Sequence, residues 1–194
     1  MSHIVIQDAL YKAKSVRELD HLAIQQLAIP GIVLMKRAGR ATFDELIDAW
    51  GTPSLITVFC GSGNNAGDGY VVAALAAEKG IAARVIELAA EEKLSADAAL
   101  ARDYSASAGV SFSAFSADID LDEGVVVDAL LGTGFQLSEN NPMRQHYAQA
   151  INGINSAALP VLSIDLPSGL CSDTGSAADA AIKADISVTF IAAK

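Results

Sequence analysis

An apolar run, Leu55–Cys60, passes directly into a loop with four glycines in nine residues, Gly61–Gly69, and then into a helical pattern over Tyr70–Lys79. Strand, glycine loop and helix in that order are how an α/β protein builds a phosphate site. The glycines let backbone N–H groups come close, and the helix adds its positive N-terminus. Asn64, Asn65 and Asp68 lie inside this loop. A loop that serves phosphates alone has little use for two adjacent amides and a carboxylate. Polar chemistry or an ion is therefore expected beside the bound nucleotide.

The remaining pattern continues the alternation. Ser15-Val16-Arg17-Glu18 reads as a capping box with Ser15 as N-cap, opening a helix that carries Leu19, Leu22, Ala23 and Leu27. Pro30 starts a second helix running to about Trp50, with Leu34, Ala38, Ala41 and Leu46 as its core positions. Gly80 stops the helix after the glycine loop, and Ser95 caps another to about Ala108. Pro142–Ala157 is also helical in pattern, whereas Ala83–Leu88, Val110–Phe112, Val125–Leu131, Pro160–Ile164 and Ile186–Ile191 read as strands. Unbroken apolar strands alternating with helices predict a Rossmann-like α/β fold. Its sheet is doubly wound and mostly parallel, with helices on both faces and two N-terminal helices ahead of it. No repeat or linker divides residues 1–194, so one domain is expected.

Composition removes several classes. The net charge of -10 argues against a nucleic-acid or membrane-surface protein. It leaves phosphorylated small molecules open, because backbone amides hold phosphate without basic side chains. Cys60 and Cys171 form no C-x-x-C, and Cys60, ending a strand, reads as a small core residue. No apolar run reaches the ~18 residues of a membrane span, and no signal peptide is readable. A cytoplasmic location follows by default.

In doubly wound sheets ligands bind outside the carboxyl ends of the strands. Three of those ends carry polar loops: Gly61–Gly69, Asp128–Gly134 and Asp165-Leu166-Pro167-Ser168-Gly169. Any one of them reads equally well as a plain turn; three at successive strand ends point to a functional cleft. Gly61-x-Gly63-x-x-Ala66 fits the relaxed dinucleotide fingerprint, with Glu87 where a ribose-binding acid would lie. An ordinary dehydrogenase fits less well. The fingerprint follows two helices rather than the first strand, and His3, His21 and His146 lie outside the strand-end loops. The absence of G-K-[ST] and G-x-S-x-G removes a P-loop NTPase and makes an α/β-hydrolase a poor fit.

Together these loops resemble the NAD(P)H-hydrate epimerase family, which also forms the N-terminal half of bifunctional NAD(P)H-hydrate repair enzymes. The resemblance rests on Leu34-Met35-Lys36-Arg37-Ala38-Gly39, on Gly61–Gly69 with Tyr70-Val71-Val72-Ala73, and on Val127-Asp128-Ala129-Leu130-Leu131-Gly132-Thr133-Gly134. It continues through Asp165-Leu166-Pro167-Ser168-Gly169-Leu170 and Thr174-Gly175 to Thr189-Phe190-Ile191-Ala192-Ala193-Lys194. Ala66 stands where the family usually has glycine; were φ positive there, alanine would cost roughly 1 kcal/mol. Family members usually continue past the position of Lys194, so the chain is expected to be truncated.

The resemblance implies a substrate, NADH or NADPH hydrated at C6 of the reduced nicotinamide ring, whose R and S epimers are interconverted. It implies Asp165 as the group that gives and takes the proton. The implied route expels the hydroxyl to leave a planar iminium; ring opening stays open as an alternative. It implies a potassium ion held by Asn65, Asp128 and Ser168. It implies dinucleotide contacts from Asn64, Asn65, Ala66, Gly67 and Asp68, from Gly132, Thr133, Gly134, Phe135, Gln136, Leu137 and Ser138, and from Asp165. Gly67 is expected to be small so that the loop backbone can approach phosphate. A homodimer, and a fused or separate NAD(P)H-hydrate dehydratase, are the partners considered. Two other classes stay open: an NAD-dependent Rossmann oxidoreductase, which would change absorbance during turnover, and a non-enzymatic nucleotide-binding or scaffolding protein.

Overall fold

A computed structural model describes residues 13–135 and 143–190. Six strands, β1 (Leu55–Cys60), β2 (Ala82–Glu87), β3 (Ser111–Ala114), β4 (Val125–Ala129), β5 (Val161–Ile164) and β6 (Ile186–Val188), form one sheet in the order β3-β2-β1-β4-β5-β6. Every pairing is parallel. The chain winds outward from β1 to β3, returns, and winds the other way from β4 to β6. The switch point therefore lies between β1 and β4, where such sheets bind ligands. Register aligns the site: Phe59 sits opposite Asp128, and Asp128 opposite Ser163.

Helices α1 (Ala13–Gln26), α2 (Gly31–Trp50), α3 (Asn64–Glu78), α4 (Ala96–Ser107) and α5 (Gln145–Ser156), with a single 3-10 turn at Glu91–Lys93, complete the described elements. Strand residues alternate between two cores. Ile56, Val58 and Cys60 face a core shared with Met35, Phe43 and Leu46 of α2, with Tyr70 and Val72 of α3, and with Ala101 of α4. Phe59, Ile86 and Val126 face the other, with Tyr147, Ile151 and Ile154 of α5 and with Phe115, Ile119 and Leu121 of the crossover from β3 to β4. Burial on both faces explains why β1 and β4 read as apolar runs with no polar alternation. Both cysteines are free, and Cys60 is buried as expected. Among the described residues no helix is long and apolar enough to cross a membrane.

β1 falls where the sequence predicts it, but several elements move. The first helix begins at Ala13, which puts Ser15 inside it rather than at a cap, and Leu19, Leu22 and Leu27 are exposed. On α2 the buried stripe is Met35, Gly39, Thr42, Phe43 and Leu46; Leu34 and Ala38 are half-buried and Ala41 is exposed. A glycine and a threonine do not announce a core face. Gly39 is buried because α3 presses on it: a Cβ there would collide with Val71. Thr42 returns its hydroxyl to the Ala38 carbonyl at 3.0 Å, which lets it be buried.

The largest difference is the start of α3. It begins at Asn64, so only Gly61–Gly63 is loop, and Ala66, Gly67 and Gly69 are helical and buried. Ala66 therefore has no positive φ, and the penalty expected for alanine does not arise. The helical glycines serve packing. A Cβ on Gly67 would land on the Met35 side chain and 3.2 Å from the Ala98 Cα, and one on Gly69 would lie 2.6 Å from the Ala129 Cβ. Gly67→Val should consequently destabilise the whole domain, by about 1–3 kcal/mol from overpacking. Thermal melting reads this directly. An unchanged melting temperature with selective loss of dinucleotide binding would return Gly67 to the phosphate role predicted for it.

Candidate active site at the switch point

The buried centre of the site is Asp128, fully enclosed near the carboxyl end of β4. Its carboxylate accepts four hydrogen bonds. Oδ1 takes the Ser168 hydroxyl at 2.6 Å and the Leu130 N–H at 3.2 Å; Oδ2 takes the Ser163 hydroxyl and the Ser168 N–H, both at 2.8 Å. Among the described residues no basic side chain pairs with it. Burial pushes its carboxyl above the usual carboxylate range, and the bonds from Ser168, Ser163 and Leu130 pull it back.

The Leu131 peptide joins the three loops. Asn65, on the first turn of α3, donates to the Leu131 carbonyl at 3.1 Å. Ser168 Oγ lies 2.9 Å from the Leu131 N–H and 3.2 Å from its carbonyl. Asn65 and Ser168 thus meet at the Leu131 backbone, Asp128 joins them through its two bonds from Ser168, and a Cβ on Gly132 would touch Asn65 at 3.3 Å.

Asp165 follows β5 and is buried beside this cluster. Its backbone has φ +70°, and the Leu166 N–H bonds to the Ile164 carbonyl across it at 2.9 Å. This is the rare γ-turn with positive φ, a strained geometry for a residue with a side chain. The Asp165 N–H is tied to the Val188 carbonyl of β6 at 2.8 Å. Of its carboxylate, Oδ2 accepts the Thr133 N–H at 3.3 Å, and Oδ1 lies 3.4 Å from the Thr189 hydroxyl.

The other predicted contacts are more spread out. Asn64 is exposed and accepts the Ser95 hydroxyl at 3.0 Å, while Asp68 is half-buried one turn further along α3. Gly134 is exposed with nothing within 4 Å of its missing side chain, and Phe135 is half-buried. Gln136, Leu137 and Ser138 lie outside the described residues. Glu87 is committed elsewhere. Arg102 grips both its oxygens, at 2.7 and 3.2 Å, and Tyr70 donates to Oε1 at 2.8 Å. Its position suggested a ribose ligand; in the structure this carboxylate is held by an intramolecular ion pair.

Two site residues escape the sequence reading. Ser163 carries a faint signal, as a hydroxyl in the otherwise apolar strand Val161–Ile164. Thr189 opens the motif Thr189–Lys194, but only the pairing of β5 with β6 brings it to Asp165.

A parallel sheet in Rossmann order, with amide, hydroxyl and two carboxylates at its switch point, places a candidate site where such α/β sheets bind ligands. The chain belongs to the family described as YjeF-related protein N-terminus, whose profile matches residues 31–194. It is 32% identical to the NAD(P)H-hydrate epimerase of Rhodopirellula baltica, over 98% of this chain and 78% of that protein. It is 34% identical to that of Limosilactobacillus fermentum, over 92% of this chain and 83% of that one. A bifunctional NAD(P)H-hydrate repair enzyme of Coxiella burnetii is 38% identical, and there the chain spans only 37% of the relative's length. In structure the chain is similar to yeast ynu0, with TM-score 0.80 and 20% identity over 96% of this chain and 82% of that one, a likeness of fold.

Proposed function

We infer that the protein is an NAD(P)H-hydrate epimerase, an isomerase that interconverts the R and S epimers of NADH or NADPH hydrated at C6. The observation that carries this is the gathering of Asn65, Asp128, Asp165 and Ser168 from three strand-end loops, in a chain that matches relatives bearing that name over nearly its whole length. A scaffold has no use for a buried carboxylate without a basic partner or for a strained aspartate turn. A hydride-transfer enzyme fits less well, since none of His3, His21 and His146 lies in these loops to serve as its acid.

Asp165 acts as general acid and base. As the acid it protonates the C6 hydroxyl, which leaves as water while the ring nitrogen lone pair forms a planar iminium. As the carboxylate it then takes a proton from water adding to either face. Atoms and charge return to their starting state, so no redox change occurs. Asn64–Asp68 and the loop of residues 132–138 hold the dinucleotide, with the N-terminus of α3 facing its phosphates.

The residues also fit a resident potassium ion. Asn65, Asp128 and Ser168 would hold it, supplying an amide, a carboxylate and a hydroxyl, the oxygen donors that a hard cation prefers. When bound, it would supply positive charge beside a buried carboxylate that has no basic partner among the described residues. A cytoplasmic setting, and cooperation with a fused or separate NAD(P)H-hydrate dehydratase, complete the reading.

The test is direct. Separated R and S hydrates, followed by chromatography, should interconvert with protein far faster than in buffer, with no change in the summed absorbance of the two. Equal rates with and without protein would remove the assignment.

A further inference from the structure

Among the described residues the Tyr147 hydroxyl has no hydrogen-bond partner. Tyr147 lies on the first turn of α5 and is 5% exposed, its ring packed in the core that holds Phe59, Leu130 and Ile151. Its hydroxyl is also not sealed from solvent, for Ser105 Oγ is the sole sealed and unpartnered side-chain polar atom among the described residues. A tyrosine buried this deeply usually finds a partner for its O–H. Here the oxygen comes within 3.3 Å of where a Cβ on Gly61 would sit, a point that also meets the Leu130 carbonyl. The hydroxyl thus lies in the seam between the carboxyl ends of β1 and β4, which is the switch point of the sheet. α3 opens a few residues further on, past Gly63, whose missing side chain faces open space. Burial holds the phenol neutral, so it is an O–H donor throughout the physiological range.

We propose that Tyr147 is a substrate-binding residue, whose hydroxyl donates a hydrogen bond to a phosphate oxygen of a dinucleotide lying over the β1–β4 seam. Two features converge on that seam: an unclaimed donor from the α5 side, and the positive end of α3 from the other. The proposal rests on the dinucleotide reading of the site given above. Its test reads binding rather than turnover, so the two stand or fall separately.

Tyr147→Phe keeps the ring and deletes only the hydroxyl. Its melting temperature should match wild type, because no hydrogen bond among the described residues is lost. Its affinity for NADPH, by calorimetry, should fall about tenfold or more, the effect of one hydrogen bond to a charged group. ADP-ribose, which keeps both phosphates, should lose affinity by the same factor, and adenosine, which has none, should be unaffected. Unchanged affinity for NADPH and ADP-ribose would overturn the proposal, as would an equal loss with adenosine or a lowered melting temperature. Dinucleotide binding by a wild-type protein that fails to interconvert the epimers would remove the epimerase assignment and leave Tyr147 in its role.

Discussion

Asp165→Asn is expected to slow epimer interconversion by about 10²–10⁴-fold, the usual contribution of a general acid–base group, while leaving the fold intact. The site accommodates the amide. Its carbonyl can replace Oδ2 against the Thr133 N–H, and its NH₂ can replace Oδ1 against the Thr189 hydroxyl, which accepts as readily as it donates. Asparagine also tolerates the positive φ of Asp165 better than most residues. Both hydrogen bonds and the turn survive, and the exchangeable proton is lost. Chromatography of the separated hydrates measures the rate, and thermal melting checks the fold. A near-normal rate in this variant would remove Asp165 from the chemistry. Asp165→Ala serves as the contrast, because it loses both bonds and should lower the melting temperature as well.

The sheet was legible because β1, β4 and β5 are buried on both faces and read as apolar runs, and their polar ends stand out against them. Asp128 could be singled out for the same reason, as a carboxylate inside Val125–Ala129. The glycines misled. Glycine is a poor helix former, so Asn64–Gly69 reads as loop. In the folded chain Met35, Ala98 and Ala129 leave no room for side chains at Gly67 and Gly69, and tertiary packing overrides propensity. The same blindness moved the buried stripe of α2. Glu87 was placed correctly at the end of β2, but its partner Arg102 lies on α4, and only the packing of α4 against the sheet reveals that the carboxylate is taken. Tyr147 and Thr189 reach the site through the α5 face and the β5–β6 pairing, contacts that no local pattern records.

Asp128→Ala should be the most destabilising single change at the site, and it should also abolish any response to potassium. Removing the carboxylate strands four donors in the interior: the N–H groups of Leu130 and Ser168 and the hydroxyls of Ser163 and Ser168. The Ser168 hydroxyl can turn to the Leu131 carbonyl, which it already approaches at 3.2 Å, but the two backbone donors cannot turn. Each stranded donor costs about 1–3 kcal/mol, so a loss of roughly 3–5 kcal/mol is expected. For a domain of this size that is on the order of 10 °C in melting temperature. The wild-type protein should gain stability with potassium by mass action, about 2.7 kcal/mol at a hundred times the dissociation constant. The variant should show no such gain, and neither should a second, milder one, Ser168→Ala, which keeps the Asp128 carboxylate but lacks one proposed ligand. Melting curves in potassium, and in a large organic cation at constant ionic strength, separate the two effects. If the wild-type melting temperature is indifferent to that exchange, the cluster around Leu131 is held by its hydrogen bonds alone, and the ion has no place in it.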